Sequence, residues 1–389
     1  MEKVKWMACQ RSFSKFGFKI NQSMATATIK DVIEYLEAFA PPSYQEDYDN
    51  SGLLTGNVTA SVNGVLVTLD CTEAVVEEAI LQRCNLIVAH HPIIFRGLKK
   101  LTGQTYVERT VIKAIKSDIA IYAVHTNLDH VHTGVNKKIA ERIGLKNVKI
   151  LQPKKDTLLK LVTFIPREKT GDVMNALHQA GAGNIGNYKN CSFQVVGEGA
   201  FMPAEGAQPH LGKVNQLERV EEVRAEVIFQ KHRSSDILRA LKQTHPYEEV
   251  AYYLSEVVNE NQEVGAGMIG ELDHEMEPIE FLGRLKKTMN TTCIRHTSPV
   301  KNIRRVAVCG GAGGFLLPAA ISQKADILVS ADFKYHEFFD ADQKIMIADI
   351  GHFESEQFTK DLLQEVLKEK FTTFAIIFSK TATNPLSYF

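Results

Sequence analysis

Ile87-Val88-Ala89-His90-His91-Pro92 is the stretch on which the reading of this chain turns. A short run of apolar residues ends abruptly in two imidazoles and a proline. A strand with no polar residue inside it is buried on both faces, as in an α/β sheet flanked by helices. The theme recurs. Residues 119–124 run into His125-Thr126-Asn127-Leu128-Asp129, and residues 345–348 run into Asp349-Ile350-Gly351-His352, with Glu356 four positions on. Residues 65–69 lead through Asp70-Cys71-Thr72 to a helical pattern over 73–82, residues 306–309 meet Gly310-Gly311-Ala312-Gly313-Gly314, and residues 327–329 meet Ser330-Ala331-Asp332. Upstream, Thr28 and Asp31 read as a cap and first-turn acid ahead of the apolar stripe Ile29, Val32, Ile33, Leu36.

The middle of the chain differs. Residues 156–260 read β-α-β-β-α-β, with an internal repeat: residues 159–165 and a helix over 170–180 parallel residues 223–229 and a helix over 234–244. Return strands are expected near 191–196 and 249–254, and the Gly- and Pro-bearing residues 197–212 read as an exposed excursion. Two βαβ halves joined this way predict a ferredoxin-like α+β inserted domain. The predicted fold is a two-part α/β domain with mixed sheets, residues 25–155 and 261–389, interrupted by that insert. Residues 1–24 form a tail set apart from the fold. It carries Lys3, Lys5, Arg11, Lys15 and Lys19 without the apolar run of a secretory signal, and reads as upstream of a true start at Met24 or, alternatively, as a transit peptide.

A length of 389 residues exceeds one ordinary core, which agrees with this division. Lys+Arg 45 against Asp+Glu 46 gives a net charge of -1, without the electrostatic footprint of a dedicated nucleic-acid binder. No apolar run approaches the ~20 residues of a membrane span. The six cysteines form no C-x-x-C pair, so neither a disulfide framework nor a thiolate zinc site is indicated, and a cytoplasmic location is expected.

Histidine placement carries the chemistry. Ligands in open α/β sheets gather at the carboxyl ends of strands, and His90, His91, His125, Asp129, His352 and Glu356 all lie at such ends. His352 and Glu356, at i and i+4, share a face if a helix follows the strand. Imidazole and carboxylate without thiolate suit Zn, Fe, Mn, Co or Ni. Five candidate ligands (His90, His91, Asp129, His352, Glu356) exceed one open mononuclear site. Because carboxylates bridge, the inference is two divalent metal ions per chain, about 3.5–4 Å apart. Each piece has a plainer reading, as a core histidine, a turn at His-His-Pro or a cap at Asp129, and only their conjunction points to metal. Gly310–Gly314 reads as a phosphate nest or a tight turn, residues 47–52 as a turn or a substrate rim, and His245-Pro246-Tyr247-Glu248-Glu249 as a structured turn. Lys334-Tyr335-His336-Glu337 reads as a source of a general acid or base or as domain-edge packing.

These motifs, with Asp49-Asn50-Ser51-Gly52-Leu53, resemble the Ngg-one-interacting-factor-three family, whose bacterial members are labelled GTP cyclohydrolase I type 2 homologues. The resemblance covers residues 25–150 and 265–389, and the insert looks like the CutA-like domain of the longer members. It implies a dinuclear centre with His91, Asp129 and Glu356 on one ion, and His90, His352 and the shared Glu356 on the other. It also implies a homohexamer built as a trimer of dimers, with the insert capping a ring. The resulting expectation is a metal-dependent hydrolase acting on a nucleotide-like small molecule, with His125, Tyr335 or His336 handling protons. The alternative is a non-enzymatic metal-binding regulatory or scaffold hexamer.

Overall fold

The computed structural model of the chain describes residues 27–389, so the expectations for residues 1–24 lie outside the described part. The helix Ile29–Phe39 opens on a capping box in which Thr28 and Asp31 exchange hydrogen bonds, which satisfies amides that a first helical turn leaves open. Its stripe Ile29, Val32, Ile33 and Leu36 is buried, as its spacing predicts.

Three sheets follow. The first has the spatial order Gly52–Thr55, Ala120–Ala123, Leu86–Ala89, Gly64–Thr68, Ala375–Phe378, parallel throughout except for its Gly52–Thr55 edge. Successive side chains of a strand point to opposite faces. Val65, Val67, Leu86 and Val88 accordingly enter one core, whereas Leu66, Ile87 and Ile121 enter another under the helices Glu73–Leu81 and Tyr106–Lys116. Both faces are covered, which is why these strands carry continuous apolar runs.

The second sheet has the order Arg295–His296, Met346–Asp349, Ile327–Ala331, Ile303–Ala312, Gly265–Met276, Lys146–Pro153. The strands Met346–Asp349, Ile327–Ala331 and Ile303–Ala312 are parallel and the outer ones antiparallel. Val306, Val308, Ile327, Val329, Met346 and Ala348 join the core already holding Val65 and Val88, so one apolar cluster lies between the two sheets. The chain is therefore mixed α/β. One feature is invisible to local patterning: Ala375–Phe378, late in the chain, returns to pair with Gly64–Thr68 in the first sheet.

The third sheet lies within residues 156–260. Its order is Phe193–Phe201, Glu218–Gln230, Leu158–Pro166, Tyr252–Glu256, antiparallel throughout, which is the arrangement of two interleaved β-α-β units. The helices Thr170–Gln179 and Ser234–Thr244 bury Val173, Leu177, Ile237 and Leu241 against Leu161, Ile165 and Ala225 in a core of their own. The return strand extends through Gly197 and Gly199 to Phe201, so the excursion begins at Met202 and not at residue 197. Glycine is tolerated inside this strand because a Cβ at Gly199 would collide with the Glu222 carboxylate on the neighbouring strand.

Both connections to this unit leave the second sheet side by side: Pro153 pairs with Gly265, and the Lys154 amide donates to the Val264 carbonyl at 2.9 Å. Few polar contacts tie the unit to its surroundings, among them Tyr44 to Gln230 at 3.1 Å. A protein in which a short Gly/Ser link replaces residues 156–260 is expected to stay soluble and to keep the metal content of the full chain by elemental analysis. Loss of solubility, or of bound metal, would show that the segment belongs to the main core.

Candidate metal centre

The functional side chains sit where strands of the first two sheets end. After Leu86–Ala89 the backbone turns so that the His90 and His91 amides both donate to the Leu69 carbonyl, at 3.1 and 2.9 Å, and the two imidazoles leave in different directions. His125 precedes the short helix Thr126–His130, which carries Asp129. The helix His352–Glu356 follows Met346–Asp349 and sets His352 and Glu356 on one face. Gly351 makes this turn possible at φ +92, a conformation that side chains oppose.

These residues meet around one carboxylate. Glu356 Oε2 lies 2.9 Å from His91 Nε2, 3.1 Å from His352 Nε2 and 3.8 Å from His90 Nε2, and His90 Nε2 lies 3.6 Å from Asp129 Oδ1. The contacts thus set His90 beside both Asp129 and Glu356 and seat His91 and His352 on Glu356. The His125 ring stands 5.4 Å from the rings of both His90 and His91.

A second layer fixes every ring the same way round. His90 Nδ1–H donates to the Val124 carbonyl at 2.8 Å. His91 Nδ1 is held by Asp70, His352 Nδ1 by Asp332 and His125 Nδ1 by Asp49, each at 2.7 Å. With Nδ1 engaged, the Nε2 atoms of His90, His91 and His352 are left to the cluster, the arrangement that orients imidazole toward a metal. Asp70 accepts in turn from Thr383 at 2.8 Å, and Asp49 accepts from the Ser51 hydroxyl and the Thr126 amide.

The electrostatics follow from this crowding. Burial works against a charged His91, yet its bonds to Asp70 and Glu356 carry it up to about 9. His352, likewise opposed by burial, is driven up to about 11 by Asp332 and Glu356. Burial would raise Glu356 as well, but the hydrogen bonds from His352 and His91, with the His90 ring close by, hold it well below the usual carboxylate range. Asp129 is pushed upward, by burial first and by the Glu356 charge second. Without an ion, protons do the neutralising.

The donor set fits a metal. His90 Nε2 and Asp129 Oδ1 are buried, face one another and have no hydrogen-bond partner among the described residues. A buried orphan acceptor costs about 1–3 kcal/mol, and a cation would satisfy both. His90, His91 and Glu356 place ligand atoms within 4.8 Å of one another, so this buried cluster can hold a metal ion. Glycine forms its floor: a Cβ on Gly311 would stand 2.6 Å from Glu356 Oε1. That settles the Gly310–Gly314 alternatives, since the strand Ile303–Ala312 runs through Gly310 and Gly311 and their lack of side chains makes room for Glu356.

The structure brings His90, His91, His125, Asp129, His352 and Glu356 together. It does not bring Tyr335 or His336 to them. Both begin the 3-10 turn Tyr335–Ala341, Tyr335 is 72% exposed, and the two rings contact each other and Phe339. Asp49, read from sequence as a turn or rim, holds His125 instead. Asp70 and Asp332 were not singled out as orienting residues. The available signal is position, because each lies within two residues of the end of a strand whose sheet neighbour leads into a histidine.

Both the sequence and the fold have counterparts among known proteins. The model of the Duf34/NIF3 (NGG1p interacting factor 3) family matches residues 27–385. The chain is similar to the GTP cyclohydrolase 1 type 2 homolog of Halalkalibacterium halodurans, at 39% identity over 94% of this chain and 100% of the relative. It is similar to that of Bacillus subtilis at 37% identity, over 92% and 98%. A solved Bacillus cereus protein related to NIF3 superposes with a TM-score of 0.83 at 36% identity, covering 94% of this chain and 100% of that one. A solved Staphylococcus aureus protein superposes with a TM-score of 0.76 at 31% identity over the same shares. With a family model spanning nearly all the described residues, and relatives matched over their whole length, the chain belongs to the Duf34/NIF3 family.

Proposed function

We propose that the protein is a dinuclear metal-dependent hydrolase acting on a nucleotide-like small molecule, of the GTP cyclohydrolase kind that its relatives' names invoke. The observation that carries this reading is the pair of orphaned buried ligand atoms, His90 Nε2 and Asp129 Oδ1, beside Glu356 and its two imidazoles. His90, His91, Asp129, His352 and Glu356 would hold two divalent ions, with Glu356 shared because it already receives both His91 and His352. Ions of this class supply Lewis acidity toward a carbonyl or phosphoryl oxygen and bring the pKa of water toward neutrality.

A groove of about 970 Å³ opens beside His91 and supports a nucleotide-like substrate. Phe95 and Tyr106 offer aromatic faces for a base, and Arg96 offers a guanidinium that makes no ion pair among the described residues and can accept phosphate. His125 is the proton carrier in this reading. With Nδ1–H given to Asp49 and its ring 5.4 Å from those of His90 and His91, it would take a proton from water at Nε2 and return it to a leaving group. Tyr335 and His336 contact none of these groups within the chain, and we assign them no proton transfer. The homohexamer belongs to the same proposal. The exposed Phe315, Tyr335 and Phe339 support it as apolar surface available for subunit contact.

Purified without chelator, the protein is expected to carry about two divalent ions per protomer. Glu356→Ala should lose both, and a variant that kept both tightly would contradict a shared carboxylate. Apparent ion affinity should rise with pH between about 6 and 9. His91 and His352, raised above the ordinary value near 6.5, hold protons in the ion-free cluster that each incoming ion must displace. The same signs make the ion-free protein lose, as pH climbs through the raised values, the stability that these charged imidazoles contribute below about 6.5. Calorimetric titration at several pH values reads the affinity, and a pH-independent affinity would contradict the proton-filled cluster. In a turnover screen against nucleotides and pterin precursors, Asp49→Asn should keep its metal but lose about 10²–10⁴ in kcat. Arg96→Ala should raise KM with kcat little changed. Full metal with no turnover on any such compound would overturn the hydrolase reading.

A further inference from the structure

Outside the metal centre, residues 156–260 enclose a second cavity, of about 600 Å³. It lies on the face of the third sheet away from the two helices, roofed by the excursion after Phe201 and by the turn at His245–Glu249. The Gln208 amide joins roof to turn through Glu248 at 2.9 Å. That volume is ordinary for a small-molecule site. The walls are aromatic. Phe164 and Tyr253 meet edge to face at 5.7 Å between centroids, and Tyr247 lies 5.9 Å from Phe201 and 6.2 Å from His210.

At the back of this cavity stands Glu222, only 8% exposed and without an ion pair among the described residues. The adjacent Tyr247 hydroxyl is also buried and is raised above its ordinary value by burial and then by its contact with Glu222, a neighbour that brings no positive charge. No neighbour supplies the missing charge. Arg224, which also lines the cavity, is taken by Glu226, and the nearby Arg219 by Glu198. His245 has both ring nitrogens occupied as a neutral imidazole: Nε2–H donates to the Phe164 carbonyl and Nδ1 accepts from the Tyr247 amide. Gly199 leaves the space that the carboxylate fills, since any side chain there would displace it. A buried carboxylate without a counter-charge is costly unless a cation pairs with it.

We infer that this cavity binds a small organic cation with an apolar body, its ammonium set against Glu222 and the aromatic faces around it. Negative ring faces and a desolvated carboxylate are the two features that recognise an ammonium group. Glu248 and Glu249 on the rim add attraction of the same sign. Neither the metal ligands nor His125 take part, so the inference is independent of the hydrolase reading.

The test is calorimetric titration of the full-length, metal-replete protein with tryptamine, alongside its neutral analogue indole-3-propanol and its anionic analogue indole-3-propionate. Tryptamine should bind at least tenfold more tightly than either. Glu222→Gln should bring tryptamine to within about twofold of the neutral analogue. Phe201→Ala, at a less buried position, should weaken tryptamine severalfold, and guards against misfolding of the Glu222 variant. Metal content and circular dichroism report folding in both variants. Failure of tryptamine to bind, equal binding of cation and anion, or full tryptamine affinity in Glu222→Gln would each overturn the inference.

Discussion

A single buried carboxylate organises the outer domain. Glu356 receives His91 and His352 directly and stands 3.8 Å from His90, so two segments far apart in sequence meet at its oxygen atoms. An anion so deeply buried is tolerated only with positive charge or strong donors around it. The imidazoles of His91 and His352 stand against it, and bound cations would satisfy His90 Nε2 and Asp129 Oδ1 as well. The glycines at 310 and 311 and the left-handed Gly351 are consequences of this demand, since each clears space beside the helix that carries Glu356. Asp70 and Asp332 complete it by holding the His91 and His352 rings with Nε2 on Glu356, and Asp49 holds the neighbouring His125.

Much of this was legible in the residues. Strands such as Leu86–Ala89 are covered on both faces, so their sequence shows an uninterrupted apolar run followed at once by polar residues, and the strand end marks the site. The i, i+4 spacing of His352 and Glu356 predicts their shared face for the same local reason. What could not be read depends on contacts distant in sequence. Ala375–Phe378 looks like any short apolar strand, and nothing in it says that its partner is Gly64–Thr68, some 300 residues earlier. Tyr335 and His336 have chemistry-bearing side chains next to a site residue, Asp332, but the 3-10 turn that follows carries them to the surface. Gly197 and Gly199 look like loop residues, yet both lie within a strand, and at Gly199 the Glu222 carboxylate on the neighbouring strand occupies the space a side chain would need.

The third sheet stands apart energetically and chemically. Its core shares no buried residue with the cluster between the other two sheets, and its connections leave and re-enter at adjacent positions of one strand pair. That geometry lets a unit be carried without disturbing the strand ends where the histidines gather. It also allows two unlike recognition chemistries in one chain. Nitrogen and oxygen ligands converge at the sheet ends, while a buried acid sits among aromatic rings some distance away in sequence. Coupling between them would require an element whose position both sites bias.

Anomalous diffraction from crystals grown with a divalent transition metal tests the central claim most directly. The account predicts two peaks per protomer, about 3.5–4 Å apart. Glu356 should lie within bonding distance of both, and the Nε2 atoms of His90, His91 and His352, with Asp129, should complete their ligand sets. A single peak, or two that leave His90 Nε2 and Asp129 Oδ1 still without a partner, would contradict it.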